Sequence, residues 1–281
     1  MNKVKRPLLR YFGGKWQMRH WIIAHLPQHQ FYAEPFAGAA SVLLAKDPAQ
    51  GGEIINDLND DVCNLFRVMR NRGQRGELCD LLQWTPYAAS ELAEARNPTS
   101  NDPVERARCM IVRSFFGIEV SGTEGTTTGF RMGNVDLNRL DKDGKRTFRN
   151  CALDWSNWKE AAEAIGKRLE RVMIYQRDAL DFIDLMDATN CLLYVDPPYV
   201  HDTRSGTRYA VEFTAHEQLV SRLLNCRCMV VLSGYKTELY APLESAGWKR
   251  VERESRANMS LTRRTECLWI SPNAQKTEEL L

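Results

Sequence analysis

The apolar run Cys191-Leu192-Leu193-Tyr194-Val195, stopped at once by Asp196-Pro197-Pro198-Tyr199, constrains this chain more than any other stretch. A short apolar run bounded by turn residues reads as a buried strand. Two consecutive prolines cannot continue it, because each fixes φ at about −65° and removes an N–H donor. The tetrapeptide therefore lies at the strand's carboxyl end, where open α/β sheets place their ligand sites. It forms a stiff loop that presents acceptors only.

Those residue types suit the alkylation of an exocyclic amine on a planar base. The amine lone pair is delocalised into the ring, so the nitrogen is a weak nucleophile until acceptors draw it toward tetrahedral geometry. The Asp196 carboxylate and the Pro197 carbonyl can both accept its hydrogens, and Pro198 holds the loop rigid. Tyr199 offers an aromatic face on which a base can stack, with a hydroxyl at its edge. A plain proline-stiffened turn, with Asp196 as a solvated cap, is the competing reading of the tetrapeptide alone.

A second site changes that balance. Phe31 to Ala33 lead into Glu34-Pro35-Phe36-Ala37-Gly38-Ala39-Ala40-Ser41, and residues 41–46 then read as an amphipathic helix. Gly38 and its small neighbours let the backbone come close to a ligand. Nineteen residues later the run Glu53-Ile54-Ile55-Asn56 ends in Asp57. An acidic residue at that spacing, at the end of the second strand, is where such folds hold a ribose diol. One glycine in place of a Gly-x-Gly-x-x-Gly pattern argues for a nucleoside cofactor without a pyrophosphate, and so against NAD.

In order along the chain, Arg10-Tyr11-Phe12-Gly13-Gly14-Lys15, Glu34 to Ser41, Asn56-Asp57-Leu58-Asn59, Asp196-Pro197-Pro198-Tyr199, Tyr209 to Thr214 and Glu266 to Ile270 resemble one family. It is the Dam-like, α-ordered group of DNA adenine-N6 methyltransferases, which take their methyl group from S-adenosylmethionine. The resemblance implies an α/β fold: a class I (Rossmann-like) methyltransferase sheet with an inserted, mainly helical target-recognition region. It implies Asp196, Pro197, Pro198 and Tyr199 as the catalytic motif. Tyr11, Lys15, Glu34, Phe36, Gly38, Asp57, Asp178 and Asp196 are the expected cofactor contacts, with Lys15 on the methionine carboxylate. A helix N-cap is the equal alternative for Asp178. Tyr11 stands where Trp is common and Ala39 where many relatives carry Gly, which implies a slightly different cofactor pocket. The target base would be an adenine flipped out of double-stranded DNA. Rival readings are cytosine-N4 methylation of DNA, methylation of a protein glutamine, and a DNA-binding regulator that has lost catalysis.

Net charge is only +2, so composition does not announce a nucleic-acid binder. Distribution says more. Arg131, Arg139, Lys142, Lys145, Arg146 and Arg149 face three aspartates within residues 131–150, and six further basic residues between Trp248 and Arg264 face Glu252 and Glu254. We expect DNA contacts from Arg131, Lys145, Arg146, Arg149, Arg256 and Arg263. The eight cysteines include no C-x-x-C pair and histidines number five, so no metal site is expected. Scattered thiols, the absence of an apolar leader and the absence of an 18-residue apolar run suggest a reduced, cytoplasmic protein of bacterial or phage origin. A cognate restriction nuclease is a candidate partner, with the chain a monomer or weak dimer.

Residues 1–60 and 170–281 are expected to form the catalytic core, with 61–169 as the recognition region. Helical spacing runs through Val62, Leu65, Phe66 and Met69 to a stop near Arg72-Gly73, and continues over 77–96 with a break at Pro86. Asp102 and Pro103 open a helix reaching Phe116, whereas 117–148 reads as a long functional loop. Further helices are expected from Trp158 to Leu169, from a capping box at Thr214-Ala215-His216-Glu217, and up to Gly247. Strands are expected at 172–175, 229–233, 248–256 and 265–271, followed by a polar tail from Asn273.

Overall fold

A computed structural model describes residues 4–11, 13–117, 129–131, 151–156, 158–199, 213–256 and 263–275. The strands are β1 (Phe31–Glu34), β2 (Gly52–Asn56), β3 (Val172–Tyr175), β4 (Cys191–Val195), β5 (Met229–Tyr235), β6 (Lys249–Arg256) and β7 (Arg263–Ile270). They form one seven-stranded sheet in the order β3-β2-β1-β4-β5-β7-β6. Strands β3 to β5 run parallel, and β7 lies antiparallel to both β5 and β6. The class I, Rossmann-like sheet expected from the sequence is the sheet observed. Every residue of β4 is buried, as befits a central parallel strand covered on both faces. Cys191, Leu193 and Val195 join Ala33, Ile54, Val230, Leu232 and Trp269 in the main core.

From β1 the chain winds outward to β2 and β3, then returns to the other side of β1 as β4. Ala33 of β1 pairs with Leu193 of β4, so the two strands end side by side at the point where strand order reverses. That switch point opens a crevice at their carboxyl ends. The helices serving this sheet are α1 (Arg19–Ile23), α2 (Ser41–Ala45), α9 (Ala179–Leu185), α10 (His216–Leu224), α11 (Ala241–Ser245) and α12 (Pro272–Gln275).

By chain packing the molecule divides into two units. One comprises the described parts of Met1–Gly14 and Asn64–Glu170, the other those of Lys15–Cys63 and Arg171–Leu281. After α3 (Asp60–Arg70), which crosses the division, the first unit holds α4 (Arg72–Trp84), α5 (Ala89–Arg96), α6 (Pro103–Phe116), α7 (Cys151–Ser156) and α8 (Trp158–Leu169). Asp102 caps α6 by accepting from the Val104 and Glu105 N–H groups at 2.9 Å, with Pro103 in the first turn as the sequence predicted. No helix among the described residues is long and apolar enough to cross a membrane.

Three local readings are corrected. The helix stop near Arg72 is a joint: the Asn71 side chain accepts from the Gly73 and Gln74 N–H groups and starts α4 at once. The capping box at Thr214 does not form; Ala215 is the N-cap of α10 and no side chain caps it. The tail from Asn273 begins as α12, because Pro272 fits a first turn and Ala274 is buried.

Candidate active site

At the end of β1, Glu34 is buried and its Oε1 accepts from the Tyr32 hydroxyl (2.8 Å) and the Leu43 N–H (2.9 Å). One carboxylate thus fastens the strand to α2. Burial pushes its pKa up to about 8, against the opposing pull of those two donors. Between strand and helix, Gly38 (φ 47°) and Ala40 (φ 46°) are both left-handed. Gly38 adopts that conformation freely, whereas on Ala40 it stores backbone strain. Ala39 is not among the left-handed residues, so alanine at that position carries no such strain.

The aspartate nineteen residues on is coupled to this turn directly. Asp57 Oδ2 accepts from the Gly38 N–H at 2.8 Å, and Oδ1 from the Asn59 N–H at 2.9 Å. Burial raises the Asp57 pKa, while these backbone donors oppose the rise. Beside it, the fully buried Asn56 donates to the Pro35 and Arg177 carbonyls at 3.0 Å and accepts from the Arg177 N–H at 2.9 Å. Asn56 ties together the loops that leave β1, β2 and β3. The sequence assigned it no role, although it opens the Asn56-Asp57-Leu58-Asn59 segment and is a polar residue closing a buried strand.

Lys15 follows a built turn. Gly13 is left-handed (φ 72°), the Gly14 N–H donates to the Tyr11 carbonyl at 3.0 Å, and a Cβ on Gly14 would meet that oxygen at 2.9 Å. In the sheet unit the Lys15 ammonium lies 2.9 Å from Asp196 Oδ1 and donates to the Tyr199 hydroxyl at 2.5 Å. That hydroxyl in turn reaches both oxygens of Glu266 at 3.1 Å. Glu266 pairs across β5 and β7 with Tyr235, whose ring packs on Tyr199 at 4.3 Å between centroids. Four side chains from three distant places in the sequence form one network.

Its electrostatics follow from composition: one ammonium meets two carboxylates. Burial alone would lower the Lys15 pKa, but Asp196 and Glu266 outweigh it and hold the ammonium charged. Burial raises Asp196, Lys15 opposes that rise, and Glu266 adds to it. The Lys15 side chain is 4% exposed and that of Asp196 is 18% exposed, so the carboxylate alone of this pair keeps an open edge. Tyr199, 8% exposed, is held by its hydroxyl and by Tyr235 rather than standing as an open platform.

Other expected site residues fall as follows. Phe36 packs edge-on against Phe213 at 5.0 Å, beside the crevice wall. Asp178 takes the capping alternative: it is the N-cap of α9 and accepts from the Leu180 N–H at 2.8 Å. Tyr11 belongs to the other unit. Arg131 is tied back to the end of α6, its N–H donating to the Phe116 carbonyl and its Nε to the Gly117 carbonyl. Lys145, Arg146 and Arg149 lie outside the described residues, as do the side chains of Arg256 and Arg263.

The residues around the crevice fit S-adenosylmethionine. The Ser41 hydroxyl, at the start of α2, is buried with no hydrogen-bond partner among the described residues, in the turn that Asp57 anchors. A sugar diol needs an acceptor such as Asp57, whose carboxylate keeps acceptor capacity beyond its backbone donors.

Comparison with known proteins gives two findings. Residues 11–100 match the family model of the D12 class N6 adenine-specific DNA methyltransferases. The DNA adenine methylases of Salmonella typhi and Salmonella typhimurium are each 36% identical over 250 residues, covering 84% of this chain and 83% of theirs. That of Escherichia coli K12 is 36% identical over 70 residues, covering 25% of this chain and 24% of its own.

Proposed function

The chain belongs to the D12 class of N6 adenine-specific DNA methyltransferases, and on that premise we propose that it moves a methyl group from S-adenosylmethionine to an adenine turned out of the duplex, with Asp196 receiving the amine. It is an adenine-N6 DNA methyltransferase, and the cytosine, glutamine and inactive-regulator alternatives fall away. The observation that carries the mechanism is the buried Lys15–Asp196–Tyr199–Glu266 network, with its one open edge on Asp196. When bound, S-adenosylmethionine supplies a sulfonium methyl that is electrophilic without help from a metal.

The protein's residues then act on the amine. Asp196 and the Pro197 carbonyl accept its two hydrogens, which localises the lone pair for attack. As the nitrogen gains positive charge, the network meets it with two carboxylates against one ammonium, a net negative environment fixed before the reaction begins. Lys15 holds Asp196 and Tyr199, so we assign it to aiming the carboxylate beside its expected contact with the methionine end of the cofactor. Tyr199 is a wall of fixed orientation against which the base is set, since the reacting atoms must be held about 3–3.5 Å apart. Flipping costs a few kcal/mol of stacking, which the base recovers in this closed pocket. Asp57 and the Gly38 turn hold the ribose. The helical unit and the basic segments at 131–149 and 249–264 read and grip the DNA.

Calorimetry with S-adenosylmethionine tests the cofactor half. Asp57→Ala removes a charged acceptor and should weaken binding by about 1.5–3 kcal/mol. Asp57→Asn, which can still accept from Gly38, should lose less. Equal affinity in all three proteins would take Asp57 out of the cofactor site.

A further inference from the structure

The amino ends of the central strands carry a cluster that methyl transfer does not use. Asp187 follows α9 and Cys226 and Cys228 follow α10, in the two turns that feed β4 and β5. One carboxylate oxygen and the two sulfurs lie within 4.8 Å of one another. Asp196 is at the opposite, carboxyl end of β4.

We propose that Asp187, Cys226 and Cys228 form a structural site for a thiophilic divalent cation of the zinc class, its fourth position filled by water on the half-buried side.

The geometry is built from sequence upward. In a C-x-C segment the two side chains flank one residue and can close on the same ion. The carboxylate comes from some forty positions away and is fixed before any ion arrives. Its Oδ1 accepts from the Arg227 N–H (2.7 Å) and the Cys228 N–H (2.9 Å), and Oδ2 accepts from Arg227 Nε (3.2 Å). Arg227 also donates to the Asp187 carbonyl, and Asn273 donates to the carbonyls of Cys226 and Arg227. Ligating carboxylates held by outer hydrogen bonds are the pattern of built metal sites. Zinc takes sulfur at about 2.3 Å and carboxylate oxygen at about 2.0–2.2 Å, so tetrahedral ligand atoms sit roughly 3.5–3.8 Å apart, a small contraction of the group seen here.

Charge agrees with a divalent ion. Binding releases one proton from each thiol; the two thiolates and the carboxylate then exceed the ion by one negative charge, which Arg227 offsets. An ion here would pin the turn before β4 to the turn before β5, adding stability without touching the chemistry. The expectation of no metal rested on the absence of C-x-x-C and on sparse histidine, and a carboxylate from another turn escapes that search.

The test is titration of the reduced, chelator-treated full chain with Co²⁺, followed by optical absorption. The site predicts thiolate-to-cobalt charge-transfer bands and tetrahedral d–d bands that saturate at one equivalent and are displaced by Zn²⁺. Asp187→Asn should weaken the ion roughly ten-fold or more. Cys226→Ser combined with Cys228→Ser should remove the bands while methyl transfer stays within about two-fold. Absent bands, or bands unchanged in the double variant, overturn the site. A second measurement needs no variant: one equivalent of Zn²⁺, but not Mg²⁺, should slow alkylation of Cys226 in the wild-type chain, read by peptide mass spectrometry. An unchanged alkylation rate overturns the site equally.

Discussion

Among the described residues, two lysine–carboxylate pairs lie largely buried in the sheet unit, and they differ in how open they are. Lys46 and Glu53 meet at 2.7 Å with both side chains sealed, near the amino end of β2. Lys15 and Asp196 meet at 2.9 Å beyond the carboxyl end of β4. Each ammonium also approaches a tyrosine ring, Tyr32 at 4.4 Å and Tyr199 at 4.7 Å. Glu53 is saturated further by the Ala49 N–H, and Lys46 by the Asp47 carbonyl. Asp196 instead keeps its exposed edge and shares its ammonium with a tyrosine that leans on a second carboxylate. A closed pair can only hold structure, whereas an open one can act on a substrate.

Substitution should separate the two pairs. Asp196→Ala should cut the methyl-transfer rate roughly 10³–10⁴-fold, through lost amine acceptance and lost negative charge at the developing cation. DNA binding should survive, since the basic segments proposed to contact phosphates lie elsewhere in the chain. Single-turnover transfer measured beside a thermal melt checks this, and substantial activity in a folded variant would remove Asp196 from the reaction. Glu53→Gln should do the reverse. It leaves the Lys46 charge buried without its partner, so unfolding free energy should fall by about 3–5 kcal/mol. Its turnover per folded molecule should stay near wild type, as denaturant titration with an activity assay would show.

How much of this contrast could be read from sequence depends on distance along the chain. The Asp196-Pro197-Pro198-Tyr199 loop and the spacing from Gly38 to Asp57 were legible, because strand, turn and acidic residue carry local signals. The partners that give those residues their chemistry were not. Lys15 and Tyr199 lie 184 positions apart, and Tyr199 and Glu266 lie 67 apart. Only the crossover and the antiparallel β7 bring them together. Local rules also failed where packing chose otherwise. Thr214 had a capping sequence, yet α10 starts two residues later, with His216 buried. Asn273 looked like tail and became helix because Ala274 found the core.

Glu266 tests whether the open pair depends on its second carboxylate. Glu266→Gln keeps the shape and one acceptor for the Tyr199 hydroxyl but removes a charge. The Tyr199 contact should weaken from a charge-assisted to a neutral hydrogen bond, worth about 1–2 kcal/mol. We expect kcat to fall roughly ten-fold with little change in cofactor affinity. Restoration of activity by Glu266→Asp would support aiming of Tyr199, whereas an equal loss of kcat and of fold stability would make Glu266 a purely structural residue.

The smallest effect concerns another buried carboxylate, Glu34, which is held by neutral donors, the Tyr32 hydroxyl and the Leu43 N–H. Without an adjacent ammonium, burial dominates, and the folded-state pKa of about 8 lies above the ordinary value of 4.5. The sign follows from proton linkage. Between those values the folded chain holds a proton that the unfolded chain has released, so stability falls as pH rises. The contribution is complete below the ordinary value and is lost as pH passes through about 8. Glu34→Gln keeps the acceptor and cannot titrate. The difference in unfolding free energy between wild type and Glu34→Gln should therefore change by no more than about 1.4 kcal/mol per pH unit across that window. Taking the difference cancels Asp57 and Asp196, whose raised pKa values slope the same way. Parallel curves for the two proteins from acid to mildly alkaline pH would mean that Tyr32 and Leu43 hold Glu34 ionised. Glu34 would then join the saturated, structural class that Glu53 represents.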